Sequence, residues 1–247
     1  GDITGDFIGN YVSSSSSYYI YGGAVSNSAT IGDITGDFIG NYASSSIEAK
    51  GGAIYNNGTI GNITGDFIGN HASGSSFAEG GAIYYDYGTL NIAGDFIGNY
   101  ASANSENGEA KGGAISNNET LNIAGDFIGN YASASSSAQG GAIFNEGTLT
   151  IAGDSTFTDN YVEVNGNKTS NAIHNLKIVN FDGTNIVVND AVTGENGTIN
   201  IASSSNGMTT FNNSVSGNTV NLIKGTLKLG HYESALLGKK YVGTLGE

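Results

Sequence analysis

The sequence predicts an all-β chain wound as a right-handed parallel β-helix, with about 30 residues per rung in its repeat half. Three observations carry this expectation. GDFIGN recurs at 5–10, 36–41, 65–70, 94–99 and 125–130, with a looser copy, GDSTFTDN, at 153–160. GGA[IV] alternates with it, starting at Gly22, Gly51, Gly80, Gly112 and Gly140, and a degenerate copy follows as Ser170-Asn171-Ala172-Ile173. The chain holds 40 glycines and no proline. Proline would remove a ladder donor from any strand paired on both sides, so its absence suits a stack of rungs. A steady period of this length marks a solenoid, in which a repeat buries its apolar side only against its neighbours.

Each repeat reads as three short strand-like segments separated by glycine corners and one Ser/Ala-rich loop. The first is the block Thr89-Leu90-Asn91-Ile92-Ala93 and its copies, whose apolar residues alternate as a half-buried strand requires. The second is the Phe motif. Phe7, Phe38, Phe67, Phe96, Phe127 and Phe157 are 31, 29, 29, 31 and 30 residues apart. Rungs about 4.8 Å apart set these rings in one column that fills the lumen. The neighbouring Ile cannot also face inward along a regular strand, so the Ile residues should form an outward apolar stripe. The third is GGA[IV] with its following residues. A helical reading fails, because no 3.6-residue apolar stripe persists and interior Gly costs roughly 1 kcal/mol per site.

Polar columns accompany the apolar ones. Asn10, Asn41, Asn70, Asn99, Asn130 and Asn160 should stack at an inward corner and hydrogen-bond along the axis. A second column, Asn27, Asn56, Asn117, Asn145 and Asn175, is interrupted by Tyr85. Asp6, Asp37, Asp66, Asp95 and Asp126, with Asp154 beyond them, form an acidic column. It reads as a solvated corner that discourages association. Cation bridging along it is the sharper alternative, but one carboxylate per rung is a thin set for calcium. No metal or cofactor is expected.

FxxN alternating with GGA[ILV], here Phe38-Ile39-Gly40-Asn41 with Gly51-Gly52-Ala53-Ile54, resembles the repeat signature of chlamydial polymorphic outer-membrane proteins, within the autotransporter superfamily. The likeness covers residues 5–173. The segments Asn185–Asp190, Gly197–Ile201 and Gly225–Gly230 resemble the distal passenger of other bacterial autotransporters. The resemblance implies a secreted or surface-displayed β-helix from a Gram-negative-type bacterium, often an adhesin. A membrane barrel and a signal peptide are not seen in this sequence. Residues 1–173 are expected as the repeat β-helix, 174–230 as an aperiodic continuation with shorter, more aliphatic rungs, and 231–247 as a cap or linker. The first rung starts in mid-repeat, which suggests further repeats upstream.

Charge narrows the partners. The formal charge is −14, and the eight basic residues are all Lys. Residues 1–172 hold 17 acids against three Lys, while 173–247 balance five against five. Nucleic acid is excluded as a partner, because its binders carry a basic footprint. Cysteine is absent, which removes disulfides and cysteine-built zinc sites. No apolar run is long enough to span a bilayer.

The Ser/Ala-rich segments vary most in length, so they should lie together on one side, either as solvated decoration or as a contact surface. Tyr18, Tyr19, Tyr21 and Phe77 within them, with Tyr85 and Tyr87 near the second Asn column, are the candidate contacts. Aromatic rings beside hydroxyls suit a glycan or a protein partner. His71 and His174 replace aromatic residues of columns, and His231 has no evident partner, so no catalytic triad or metal cluster is supported. A polysaccharide-active β-helix enzyme is the catalytic alternative, for which Asp159, Asp182 and Asp190 qualify by residue type alone. The expected function is structural and adhesive, and the chain is not expected to be an enzyme. A filament subunit, stacking through strand ends or the Ile stripe, is the other reading.

Overall fold

The structure is a computed structural model that describes residues 1–16, 19–203 and 206–230. Among these the chain is all strand, with no helix, and it winds as a parallel β-solenoid. Two sheets of nine strands run the whole length. One carries Ile3–Thr4 and its successors, the other Phe7–Ile8 and its successors. Register partners in the first sheet run Ile3, Ile34, Ile63, Ile92, Ile123, Ile151 and Phe181, so the rungs keep the period of the sequence. Beyond Phe181 the partners are Ile201 and Leu222, and the rungs contract to 20 and 21 residues.

The Phe column is the axis of the core. Phe38, Phe67, Phe96, Phe127 and Phe157 are fully buried, and successive ring centroids from Phe7 onward lie 4.5 to 4.9 Å apart with planes within 2°. In-register pairing dictates this face-to-face stack, and burial stabilises it. Ile39, Ile68, Ile97 and Ile128 face outward and are half-buried, while Ile8 is exposed. The lumen is completed by Ile54, Ile83, Ile115 and Ile143 after the GGA corner, and by Leu90, Leu121 and Leu149. In the contracted rungs Ile186, Val188, Ile199 and Ile201 are buried, Val220, Leu222 and Leu227 pack against them, and Leu229 is exposed.

The rung differs from its expected outline in one respect. It holds five or six strands, because the Ser/Ala-rich segment is itself two strands. One set, such as Tyr42–Ser45 and Tyr100–Ala103, forms a seven-stranded sheet; the other, such as Glu48–Lys50 and Glu109–Lys111, forms a five-stranded sheet. The two sheets pack face to face through alanine. Ala43, Ala49, Ala72, Ala78, Ala101, Ala110 and Ala132 are fully buried between them, in two clusters separate from the main core. Cα atoms across this interface come within 8 Å, closer than the ~10 Å of ordinary stacked sheets. The result is a thin fin along one side of the solenoid. Ser and Ala are weak strand formers, so the signal for these strands is only their alternation of small buried and polar exposed residues. The longer fourth segment adds its residues at the tip, where Gly108 bonds back to Ser105.

The fin stops at the sixth rung. There Tyr161–Val164 pairs with Asn167–Ser170 in the one antiparallel ladder among the described residues, and the following rungs lack the fin, which is why they are shorter. The expected cap at 231–247 and His231 lie outside the described residues.

Candidate functional site

Two places gather chemistry on this scaffold: the outer surfaces of the fin, and a cleft where the fin ends. The fin's Tyr face carries Tyr11, Tyr42, His71, Tyr100, Tyr131 and Tyr161 in one column, with centroids 4.7 to 5.0 Å apart. Stacked in this way, the rings present edges and hydroxyls outward, because their faces cover one another. A face-on sugar platform is therefore missing along the column. His71 is held between Tyr42 and Tyr100, and burial lowers its pKa below the ordinary histidine value.

The opposite face carries Tyr19, Glu48, Phe77, Glu109 and Ser137 in register, beside Tyr21, Lys50, Glu79, Lys111 and Gln139. Tyr19 is 59% exposed and Phe77 39%, so these two are the accessible aromatics of the face. The second column forms the seam between fin and body. Tyr21 stacks on Tyr55 at 4.5 Å, Lys50 lies 4.5 Å over the Tyr84 ring, and Lys111 lies 4.9 Å over Phe144. Lys50 also meets Glu48 at 3.0 Å and Glu79 at 3.7 Å. Burial alone would lower the Lys50 pKa, but Glu79, Tyr84 and Glu48 together hold it above the ordinary lysine value. Burial pushes the Tyr84 phenol up to about 12.

The six predicted contact residues therefore separate. Tyr19 and Phe77 share a face of the fin, Tyr21 belongs to the seam, and Tyr87 is exposed at a corner of the body. Tyr85 offers no contact area: it is 1% exposed and fills the core where the second Asn column is interrupted. Tyr18 lies outside the described residues.

The Asn column is a continuous ladder. Each Asn Oδ1 accepts the backbone N–H and the Nδ2 of the preceding Asn, as Asn99 does from Asn70 at 2.9 and 3.0 Å. Each Nδ2 also donates to the carbonyl of the preceding rung's Phe, as Asn99 does to Phe67 at 2.8 Å. The second Asn column shares only the Nδ2-to-Oδ1 link between rungs, which runs on from Asn175 to Asn218; its Nδ2 groups also close their own corner, as Asn145 Nδ2 does on the Gly147 carbonyl at 3.0 Å. The Asp column has a related task, because Asp6, Asp37, Asp66, Asp95 and Asp126 each accept a backbone N–H from the next rung at 2.7 to 3.0 Å. Among the described residues no group of three His, Asp or Glu is placed to hold a metal ion.

At the sixth rung the Asn ladder ends on Asp190, whose Oδ2 accepts the N–H and Nδ2 of Asn160 at 2.9 and 2.8 Å. Ser170 donates to its other oxygen at 3.2 Å. Burial is the main cause that raises the Asp190 pKa above the usual aspartate value, against the donors that lower it. Beside it opens a cleft of about 500 Å³ lined by Asp159, Tyr161, Lys168, Thr169, Ser170 and Asp190. Lys168 sits 4.2 Å over the Tyr161 ring, donates to its hydroxyl at 3.2 Å and faces Glu163 at 3.8 Å. Of the three aspartates singled out by residue type, the fold brings Asp159 and Asp190 together and leaves Asp182 exposed elsewhere. Sequence reasoning missed this convergence, whose only signal is that several positions depart from the repeat in two successive rungs. His174 stacks on Phe144 at 5.7 Å and bonds Thr193 through Nδ1, while its Nε2 is buried without a partner. Compared with known proteins, the chain matches no family model, no curated protein and no solved structure.

Proposed function

We propose that this chain is an extracellular β-solenoid of structural and adhesive role, of the kind displayed or released by Gram-negative-type bacteria, with the fin as its contact surface. The resemblance of its repeats to those of autotransporter passengers motivates the location. The observation that carries the adhesive reading is the fin itself. Its alanine clusters are separate from the Phe-centred core, so the solenoid has its own lumen without them. The fin nevertheless recurs through the repeat rungs and presents exposed Tyr19 and Phe77 beside acidic Glu48 and Glu109. Surface held out on a rigid scaffold and tolerant of length change at its tip suits recognition. The acidic repeat half favours neutral or basic partners over polyanions.

Beads coated with the chain should adhere to epithelial or bacterial cells. Y19S/F77S should lower that adhesion several-fold while leaving the unfolding midpoint within experimental error. Undiminished adhesion by the variant, or none by the unaltered chain, would overturn the reading.

A further inference from the structure

We infer that the cleft at the end of the fin is a binding site for a neutral sugar unit. The repeat supplies an internal comparison, since every rung shows what a position needs for folding alone. Departures elsewhere do not meet at one place, as with His71 in the Tyr column and Tyr85 in the second Asn column of the third rung. Across the sixth rung and the next they converge. The Gly of five earlier rungs, with φ of 61° to 64°, becomes Asp159 at φ 59°. The glycine pair that opens GGA becomes Ser170-Asn171, and the ladder ends on Asp190 in place of Asn. The fin strand turns into a hairpin that returns Lys168 over Tyr161. Asp159, Ser170, Asp190 and Lys168 all line the one cleft.

Folding does not account for all of them. Asp190 at the end of a ladder needs only to accept, and an Asn would accept equally well without a buried charge. Asp159 is the clearer case. Its backbone is left-handed, which glycine adopts without strain and aspartate more readily than most other residues. It makes no hydrogen bond among the described residues, is exposed, and its charge works against that of Asp190.

The lining chemistry names the ligand class. Two carboxylates accept, the Tyr161, Thr169 and Ser170 hydroxyls both donate and accept, and Lys168 donates. This mixture matches the adjacent hydroxyls of a sugar ring, each of which donates and accepts. The volume lies within the range of small-ligand sites, and the cleft is shallow and open to solvent, so it covers one face of a single sugar unit. Acidic sugars are disfavoured, because the two carboxylates face a single ammonium already paired with Glu163. A bare cation is disfavoured too, since among the described residues no three acidic or histidine groups converge to hold one. Tyr19 and Phe77, which carry the adhesive reading, take no part, so this site stands or falls independently of that reading.

The test uses variants that restore the repeat. D159G returns the residue that five rungs carry at this backbone conformation, and D190N returns the ladder Asn, so neither should impair folding. The 247-residue chain is titrated by saturation-transfer NMR with glucose, galactose, mannose, N-acetylglucosamine and their disaccharides, and with glucuronate and galacturonate. At least one neutral sugar should bind, the uronates should not, and D159G and D190N should each weaken binding by about tenfold or more. Their unfolding midpoints should equal or exceed that of the unaltered chain, and Y19S/F77S should bind as the unaltered chain does. Silence from every neutral sugar, equal binding of uronates, or full affinity in D159G would overturn the inference.

Discussion

At the scale of the residue, the inward Asn does what no apolar side chain could. It brings its own amide into the core together with the acceptor and donor that its neighbours need. Replacing Asn99 with Ala leaves the N–H and Nδ2 of Asn70 and the carbonyl of Phe67 without these partners. Each such buried group costs about 1–3 kcal/mol, so N99A should destabilise by at least about 3 kcal/mol in urea denaturation. N99D separates accepting from donating. A carboxylate still accepts from Asn70 but cannot donate to Phe67 or to Asn130. Its destabilisation should therefore be large at pH 7 and shrink as pH falls and the buried group takes up a proton. A uniform loss across pH would argue against the ladder geometry. Asp190 is tolerated because it ends the ladder, where only acceptance is asked of it.

At the scale of the element, the two kinds of glycine make different demands. Gly98 has φ +62° with open space where a Cβ would point, whereas a Cβ on Gly81 would run into the backbone carbonyls of Gly113 and Tyr100. G98A should cost about 1–2 kcal/mol through its left-handed backbone alone. G81A should cost about 3 kcal/mol or more, because both obstacles are backbone and the rung spacing is fixed on both sides. Thermal denaturation of the two variants checks this, and equal losses would contradict the packing described for the GGA corner. The same elements show what was legible. Phe96 and Asn99 stand out because a column repeats both identity and spacing. Ala101 and Ala110 do not, because alanine in a serine-rich segment carries no strand preference, and only the fold reveals that they form a core. Of the candidate contacts, Tyr85 shows the limit of composition: the substitution was visible, but its burial depends on the lumen left by a missing Asn. The cleft was hidden for a related reason, since Asp159 and Asp190 meet only through the rung closure between them.

At the scale of the whole molecule, the rung organises charge as well as packing. Lys50, Lys111 and Lys168, the lysines of residues 1–173, each lie over an aromatic ring. The cations are thus committed to the seam and the cleft, and the surface of the repeat half is left acidic. The claim on which everything else depends is that each repeat is one rung, stacked in register on the last. The absence of cysteine allows that claim to be tested by placing spin labels at will. Ile8, Ile39, Ile68, Ile97 and Ile128 form one outward column. Cysteine pairs bearing labels at 8 and 97, and at 8 and 128, should give pulsed-EPR distances near ~14 Å and ~19 Å, growing by about 4.8 Å per rung. Broad distributions, or a separation that does not rise by one strand spacing per repeat, would contradict the solenoid and every column built on it.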